Sequence, residues 1–494
     1  MRLTFHRLGL VAVLFAGFLG CGGSSQTAGP KAAQAVGPYA ATRWIPARPS
    51  YAVAARTFRD AQRGLRDLVE SFGPLVDVNA EAISQGLRAV LRVDALSPDA
   101  VAAVGVDLEG GFAVFSEGIN PTVVVRLASA AQFQAFIEQQ QQAGLRTQSV
   151  VSAGVEVFTA PLPNQVSISW AIADDWLWLH IGLPFAPDDT ATWFAASRTP
   201  GAPTWKADWQ AAQGLAERQP AVAGFADVRR IVGELGPRAP GAAACTRLLE
   251  PVSKLTLALD GDAKQMSARF ALDVGTSATS ITKATLAVPE GWAAATAQVP
   301  LAAEWNLDLA VVRPTVAPCT TALGIDLLRR FEDLGVRGGR AFLRSFDPDE
   351  RSGSGVASLE LAHKRFFAAQ LDDIPMRSVL ERKRQFGPYA GKALAIPMFM
   401  TIDYVLTDAV AFAAVGDGML ASVVGKGSTV PGPVVALAVQ PLGLSREAWI
   451  GLLDLVDVPY PDRVADHLLR WRDARLAVTV DGARLVIAAS GTRR

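Results

Sequence analysis

The chain is poor in the residue patterns that carry chemistry. Its 494 residues include three cysteines and four histidines. His6, His180, His363 and His467 have no His or Cys neighbour at ligand spacing, which argues against a zinc site. No Gly-x-Ser-x-Gly elbow stands between an expected strand and helix. Gly425-Lys426-Gly427-Ser428 lacks the earlier glycine of a phosphate loop, and Gly427 occupies the place of its Ser or Thr. Lys and Arg number 47 against 47 Asp and Glu, so no basic surplus draws the chain to nucleic acid. Beyond the N-terminus no uninterrupted apolar run reaches the ~20 residues of a spanning helix. These absences point to a protein without enzymatic activity, metal or cofactor.

What is present begins at the N-terminus. Arg2, His6 and Arg7 supply a charged start, Leu8 to Phe18 is apolar and uncharged, and Gly20 is small. The apolar run is too short to cross a bilayer and has the form of a cleaved secretory signal. Gly22 to Gly37 is Gly, Ser, Ala, Gln, Thr and Pro with one Val and one Lys, a flexible spacer with little to bury. The expected division is a signal over 1–20 and a tether over 21–43.

The end of the leader, Phe18-Leu19-Gly20-Cys21, resembles the lipobox of bacterial lipoproteins, with Phe18 and Leu19 where that motif usually has Leu and then Ala or Ser. The resemblance implies a lipid on Cys21, cleavage just before it, and membrane attachment through the acyl chains. One chain anchors marginally and two or more anchor firmly, at ~0.8 kcal/mol per buried methylene. In that family an Asp after the cysteine favours inner-membrane retention. Gly22 stands there, so the resemblance implies the outer membrane of the cell envelope.

The body of roughly 474 residues is long enough for two domains or a duplicated one. Cys245 and Cys319 form an even pair in an oxidising compartment. They are either bridged, closing a loop of about 74 residues worth ~2–5 kcal/mol, or two separately buried thiols.

Internal repetition organises the body. Residues 170–179 and 412–421 each read as strand, turn and strand, with Asp174-Asp175 and Gly416-Asp417-Gly418 at the turns. Asp260-Gly261 and Asp481-Gly482 each join two alternating strands, a strong hairpin signal. Further elements follow in the same order. Strand 51–57 matches 305–312, and helix 58–72 matches 323–334. Strands 111–115 and 122–127 match 339–343 and 356–361. A short helix with Phe133, Phe136 and Ile137 matches one with Phe366, Phe367 and Leu371. The expectation is α+β: two halves, 44–275 and 290–494, each a mainly antiparallel sheet with helices packed on one face. Residues 184–218 read as a helical insertion in the first half.

Within this body, Asp174-Asp175 and Asp372-Asp373 suit a turn or helix end better than acid–base work. Ser352 to Gly355 reads as a polar loop, and Arg382-Lys383-Arg384 as a solvated helix face. Trp170, Trp176 and Trp178 either line a groove for a ligand or form core between sheet and helix. The resulting function is a lipid-anchored binding or scaffolding module, with an envelope protein or an apolar ligand as partner. The alternatives are a carrier of an apolar ligand or lipid, and an unrecognised hydrolase.

Overall fold

A computed structural model describes residues 38–494, apart from 73–79, 185, 187–189, 236–248, 263, 290, 312, 315–334, 351, 373–376, 397–399, 425–428, 456, 457 and 459. Cys21, Cys245, Cys319, the expected helix over 323–334 and Gly425 to Ser428 lie outside the described residues. The described residues of Met1–Pro240 and Ser253–Ala271 cluster into one unit. Those of Gly241–Val252 and Leu272–Arg494 cluster into a second. Both helices and antiparallel strands are abundant, so the chain is α+β.

The first unit is built on ten strands: β1 (Tyr51–Ala55), β2 (Phe112–Ser116), β3 (Thr122–Arg126), β4 (Gln148–Ser152), β5 (Val155–Pro161), β6 (Ser167–Ala173), β7 (Trp176–Gly182), β8 (Val222–Asp227), β9 (Lys254–Gly261) and β10 (Gln265–Asp273). Hydrogen bonding places them in the order β10-β9-β8-β1-β2-β3-β7-β6-β5-β4. The helices are α1 (Phe58–Phe72), α2 (Ala80–Leu91), α3 (Pro98–Ala103), α4 (Ala130–Gln142), α5 (Thr190–Arg198), α6 (Lys206–Gln213) and α7 (Val228–Leu235). Helix α1 spans the expected residues and buries Ala61, Leu65 and Val69, spaced four apart on one stripe. Ser129 caps α4 by accepting from the Gln132 amide at 3.2 Å.

A core forms where Ala52, Ala54, Ala113, Phe115, Val124, Trp176, Trp178 and Phe225 meet Trp193 and Phe194 of α5, Ala212 of α6, and the short helical turn Ala40–Trp44. Alanines on β1 and β2 leave room for the rings opposite. The packed body therefore starts before the expected tether ends at 43, because Tyr39 and Ala41 are already buried. All residues of β1 and β2 are buried, so both sheet faces are covered there.

Among the described residues, the second unit has a short separate pair, Val288–Pro289 with Thr429–Val430, and ten further strands: β11 (Leu301–Trp305), β12 (Val336–Asp347), β13 (Ser352–Leu361), β14 (Glu381–Phe386), β15 (Tyr389–Ile396), β16 (Met400–Leu406), β17 (Val410–Val415), β18 (Val435–Val439), β19 (Trp471–Asp481) and β20 (Arg484–Arg493). Their order is β20-β19-β18-β11-β12-β13-β17-β16-β15-β14, the order of the first unit's strands with ten added to each number. Its core gathers Phe342, Val356, Val405, Ala414, Met419 and Leu420.

Several local expectations are corrected. The strand expected over 305–312 ends at Trp305. The chain then turns, with Asn306 and Asp308 buried and the Asp308 carboxylate accepting from the Ala310 amide at 3.0 Å. Residues 412–421 are not a hairpin. Val410–Val415 is the second strand of a hairpin with Met400–Leu406, and Leu420–Ser422 is helical. The turn expected at Asp260-Gly261 falls at Asp262, whose carboxylate accepts from the amides of Lys264 and Gln265 at 2.8 and 2.9 Å. Ser352 to Gly355 is strand, and a Cβ on Gly355 would lie 2.6 Å from the Phe342 carbonyl oxygen. Arg382, Lys383 and Arg384 lie on β14, an edge strand, where basic side chains discourage pairing with other chains.

Candidate functional site

The strand β7 carries the most chemistry. Its hairpin with β6 turns at Asp174 and Asp175, both at positive φ (52° and 63°), a conformation Asp tolerates. Asp174 also pairs with Arg198 at 2.5 Å, so the acidic pair has a structural role. The turn sets the register: Trp176, Trp178 and His180 share one face, Leu177 and Leu179 the other.

The three tryptophans are thereby placed. Trp178 is fully buried, meets Trp44 and Phe194 edge-on at 5.0 and 5.4 Å, and donates to Ser197 Oγ at 2.8 Å. Ser197 in turn donates to the Trp44 carbonyl oxygen at 2.7 Å. Trp176 belongs to the same core. Trp170 pairs across the ladder with Leu179, points to the opposite face and stacks on Phe158 at 5.6 Å. All three are buried and two faces divide them, so together they line no groove.

His180 continues the Trp176–Trp178 face past the core. It is 2% exposed, and its Nδ1 is 2.8 Å from Thr122 Oγ1, directly opposite on β3. On its other side in the ladder stands Ser169, fully buried, whose hydroxyl meets Thr159 Oγ1 at 2.9 Å. Thr122, His180, Ser169 and Thr159 thus form a polar lane across four neighbouring strands. Trp193 of α5 covers the imidazole, with ring centroids 4.7 Å apart and planes 7° from parallel.

This lane opens into a cavity of about 350 Å³. Thr122, His180, Phe115 and Trp193 lie within it, and Glu117 and Glu234 line it with Asn120, Ser116 and Thr192. The volume sits near the lower end of small-molecule sites. The loop between β2 and β3 forms one wall and is held firmly. Asn120 donates to the Ala186 carbonyl oxygen at 2.7 Å and accepts from the Leu183 amide at 3.1 Å. Ser50 Oγ and the Arg230 guanidinium both donate to the Glu117 carbonyl oxygen. Arg230 also stands 3.5 Å from the Glu234 carboxylate. Beneath the loop, burial pushes the Tyr51 phenol well above its usual range, against a smaller downward pull from its bond to Ser116.

Sequence reasoning singled out His180 but not Thr122, Glu117 or Glu234. One signal was present: in Trp176-Leu177-Trp178-Leu179-His180 the period of two carries a polar ring onto the tryptophan face. Among the described residues no group of three or more His, Cys, Asp or Glu is placed to hold a metal ion.

No protein-family model matches the chain, and no curated protein matches it. Among solved structures it is similar to crystal forms of TP0453. Form I shares 11% identity over 49% of this chain and 80% of that one, with a TM-score of 0.28. Form III shares 8% over 51% and 87%, with a TM-score of 0.29.

Proposed function

We propose that the chain is a non-enzymatic, lipid-anchored protein of the cell envelope, attached through Cys21, whose first unit binds a small hydrophilic ligand. The observation that carries the binding role is the buried Thr122–His180 pair facing the 350 Å³ cavity. The lining mixes apolar Phe115, Ile119 and Trp193 with Glu117, Asn120, Thr122, His180 and Glu234, and these polar groups favour a hydrophilic ligand over a lipid or other apolar one. The anchoring role rests on the leader and on Cys21.

We further read the body as a duplication. Both units run through ten strands in the same order. The registers agree as well: with Tyr51 set on Leu301, the ladders carry Phe115 onto Phe342, Thr122 onto Val356, His180 onto Ala414 and Ser169 onto Asp403. Matching order and matching register across so many strands favour one ancestral unit copied in tandem.

The hydrolase alternative has one observation in its favour, an imidazole nitrogen bonded to a hydroxyl. Thr122 is 2% exposed, however, a poor position for an attacking oxygen.

Two measurements test the proposal. Cys21→Ala should move the protein from the membrane to the soluble fraction; a variant that still sediments with membranes refutes the anchor. Native mass spectrometry of the protein released from its own membrane should show a small adduct, and the adduct should disappear in Thr122→Val/His180→Ala. An adduct of diacylglyceride mass would instead support the lipid carrier.

A further inference from the structure

We infer that two copies of the chain pair through the edge of the first unit, β4 against β4 of the second copy, antiparallel about Val150. The inference goes beyond the proposed function and depends on neither the anchor nor the cavity.

An open strand edge invites pairing with another chain, and proteins cover it, shorten it or charge it. Strands β4 and β14 hold the same end position in the strand order of their units, so their edges can be compared. β14 carries Arg382, Lys383 and Arg384, all exposed. β4 reads Gln148-Ser149-Val150-Val151-Ser152, and no residue from Thr147 to Val155 is charged. Val150 and Val151 are 42% and 73% exposed. The edge that the second unit guards with charge therefore carries exposed β-branched residues in the first.

The hairpin fixes which backbone groups are open. The turn from β4 to β5 has two residues, Ala153 and Gly154, at φ 49° and 76°, the type I′ form. The pair flanking such a turn, Ser152 and Val155, exchanges hydrogen bonds, and the pairs alternate from there. Val150 thus directs its N–H and C=O to β5, while Ser149 and Val151 direct theirs outward. Among the described residues no backbone group outside β5 meets them.

A second copy of the same edge matches these groups. Two-fold pairing centred on Val150 sets Ser149 opposite Val151 of the second copy, twice, and makes four backbone hydrogen bonds. Val150 then meets Val150 of the second copy in the close, non-hydrogen-bonded position, and Gln148 faces Ser152. No like charges oppose each other. The pair is closed by its symmetry, and the basic β14 edge discourages further addition. Five residues a side make a small interface, so pairing in solution is weak.

The test is sedimentation velocity of the full chain from micromolar to millimolar concentration, which should show a reversible monomer–dimer equilibrium. Val150→Lys sets two ammonium groups face to face at an exposed position. It should weaken the dimer severalfold and leave the circular dichroism unchanged. Val150→Cys should give a disulfide-linked dimer under mild oxidation, because the two Cα atoms stand about 4.5 Å apart. Val151→Cys should not, because its two copies stand farther apart than the ~7 Å a bridge can span. A chain that stays monomeric throughout overturns the self-pairing and leaves the edge to a strand of another protein. A dimer that survives Val150→Lys and gives no link at 150 also overturns it, since the contact is then elsewhere. Equal links at 150 and 151 overturn the pairing about Val150.

Discussion

Replacing Trp178 separates a core residue from a groove residue. Its side chain is fully buried, touches Trp44 and Phe194 edge-on, and donates to Ser197 at 2.8 Å. Truncating a buried Trp to Ala removes about 3–5 kcal/mol through lost transfer energy and the cavity left behind. The lost hydrogen bond to Ser197 contributes about 1 kcal/mol more. Trp178→Ala should therefore cost about 4–6 kcal/mol. Trp178→Phe, which installs the residue found at the matching ladder position Phe412, should cost about 1–2 kcal/mol. With two units, a single denaturation midpoint is ambiguous. Native-state hydrogen exchange on the full chain resolves them. Amides of β1, β3, β6 and β7 should lose roughly three to four orders of magnitude in protection in the Ala variant, at about 1.4 kcal/mol per tenfold. Amides of β16 and β17 should hold theirs. A loss under about 1.5 kcal/mol in the Ala variant refutes the core assignment, because that is the response of a tryptophan lining an open groove.

Two further perturbations concern the second unit. Arg340 is 1% exposed and donates to Glu360 at 3.1 Å, to Asn306 Oδ1 at 3.2 Å and to the Ala287 carbonyl oxygen at 3.0 Å. Arg340→Met strands these acceptors and should cost about 3–5 kcal/mol by exchange or denaturant titration, and Arg340→Met/Glu360→Met should recover part of it. For Glu381, burial pushes the carboxyl up, but bonds from Lys392, Tyr404 and Arg377 outweigh it and bring it down to about 2. Its folded value lies below its unfolded one, so its contribution is present above pH ~4.5 and is lost as pH falls towards 2. After allowance for the exposed Lys392 partner that amounts to about 2 kcal/mol, and Glu381→Gln should flatten the acid limb of the stability curve.

Much of the fold was legible wherever local signals and tertiary packing agreed. Helix α1 has its apolar residues on one stripe, and the Asp481-Gly482 turn sits where expected, with Gly482 at φ 58°. The misses occur where a tertiary contact overrode a local cue. Ser352 to Gly355 has turn composition, yet pairing with β12 makes it strand. Arg382 to Arg384 has the look of a solvated helix, yet it occupies a sheet edge and pairs with β15 and Asp403. Asp260-Gly261 yields to Asp262, whose carboxylate caps two amides at once.

The site was hidden for a different reason. Thr122 and His180 are 58 residues apart and meet only because β3 and β7 pair directly, which no periodicity in either strand announces. The internal repeat held the missing clue, but matching residues 170–179 to 412–421 set Trp170 against Phe412. The ladders set Trp178 there instead, one strand later in the hairpin. That shift moves His180 from a position opposite the Leu420–Ser422 turn to a position opposite Ala414, inside a core. Only in the corrected register does the contrast appear: one fold, one ladder position, a hydroxyl–imidazole pair in the first unit and a valine–alanine pair in the second. Exchange of the pairs in both directions tests that reading of the asymmetry. Thr122→Val/His180→Ala should leave the exchange protection of β3 and β7 intact or raise it, since it removes buried polar groups. Val356→Thr/Ala414→His should destabilise the second unit by several kcal/mol, because an imidazole replaces a methyl group at a position 2% exposed within its core. Equal costs in the two directions would mean that the polar pair belongs to the packing of the first unit, and the functional argument built on it would fall.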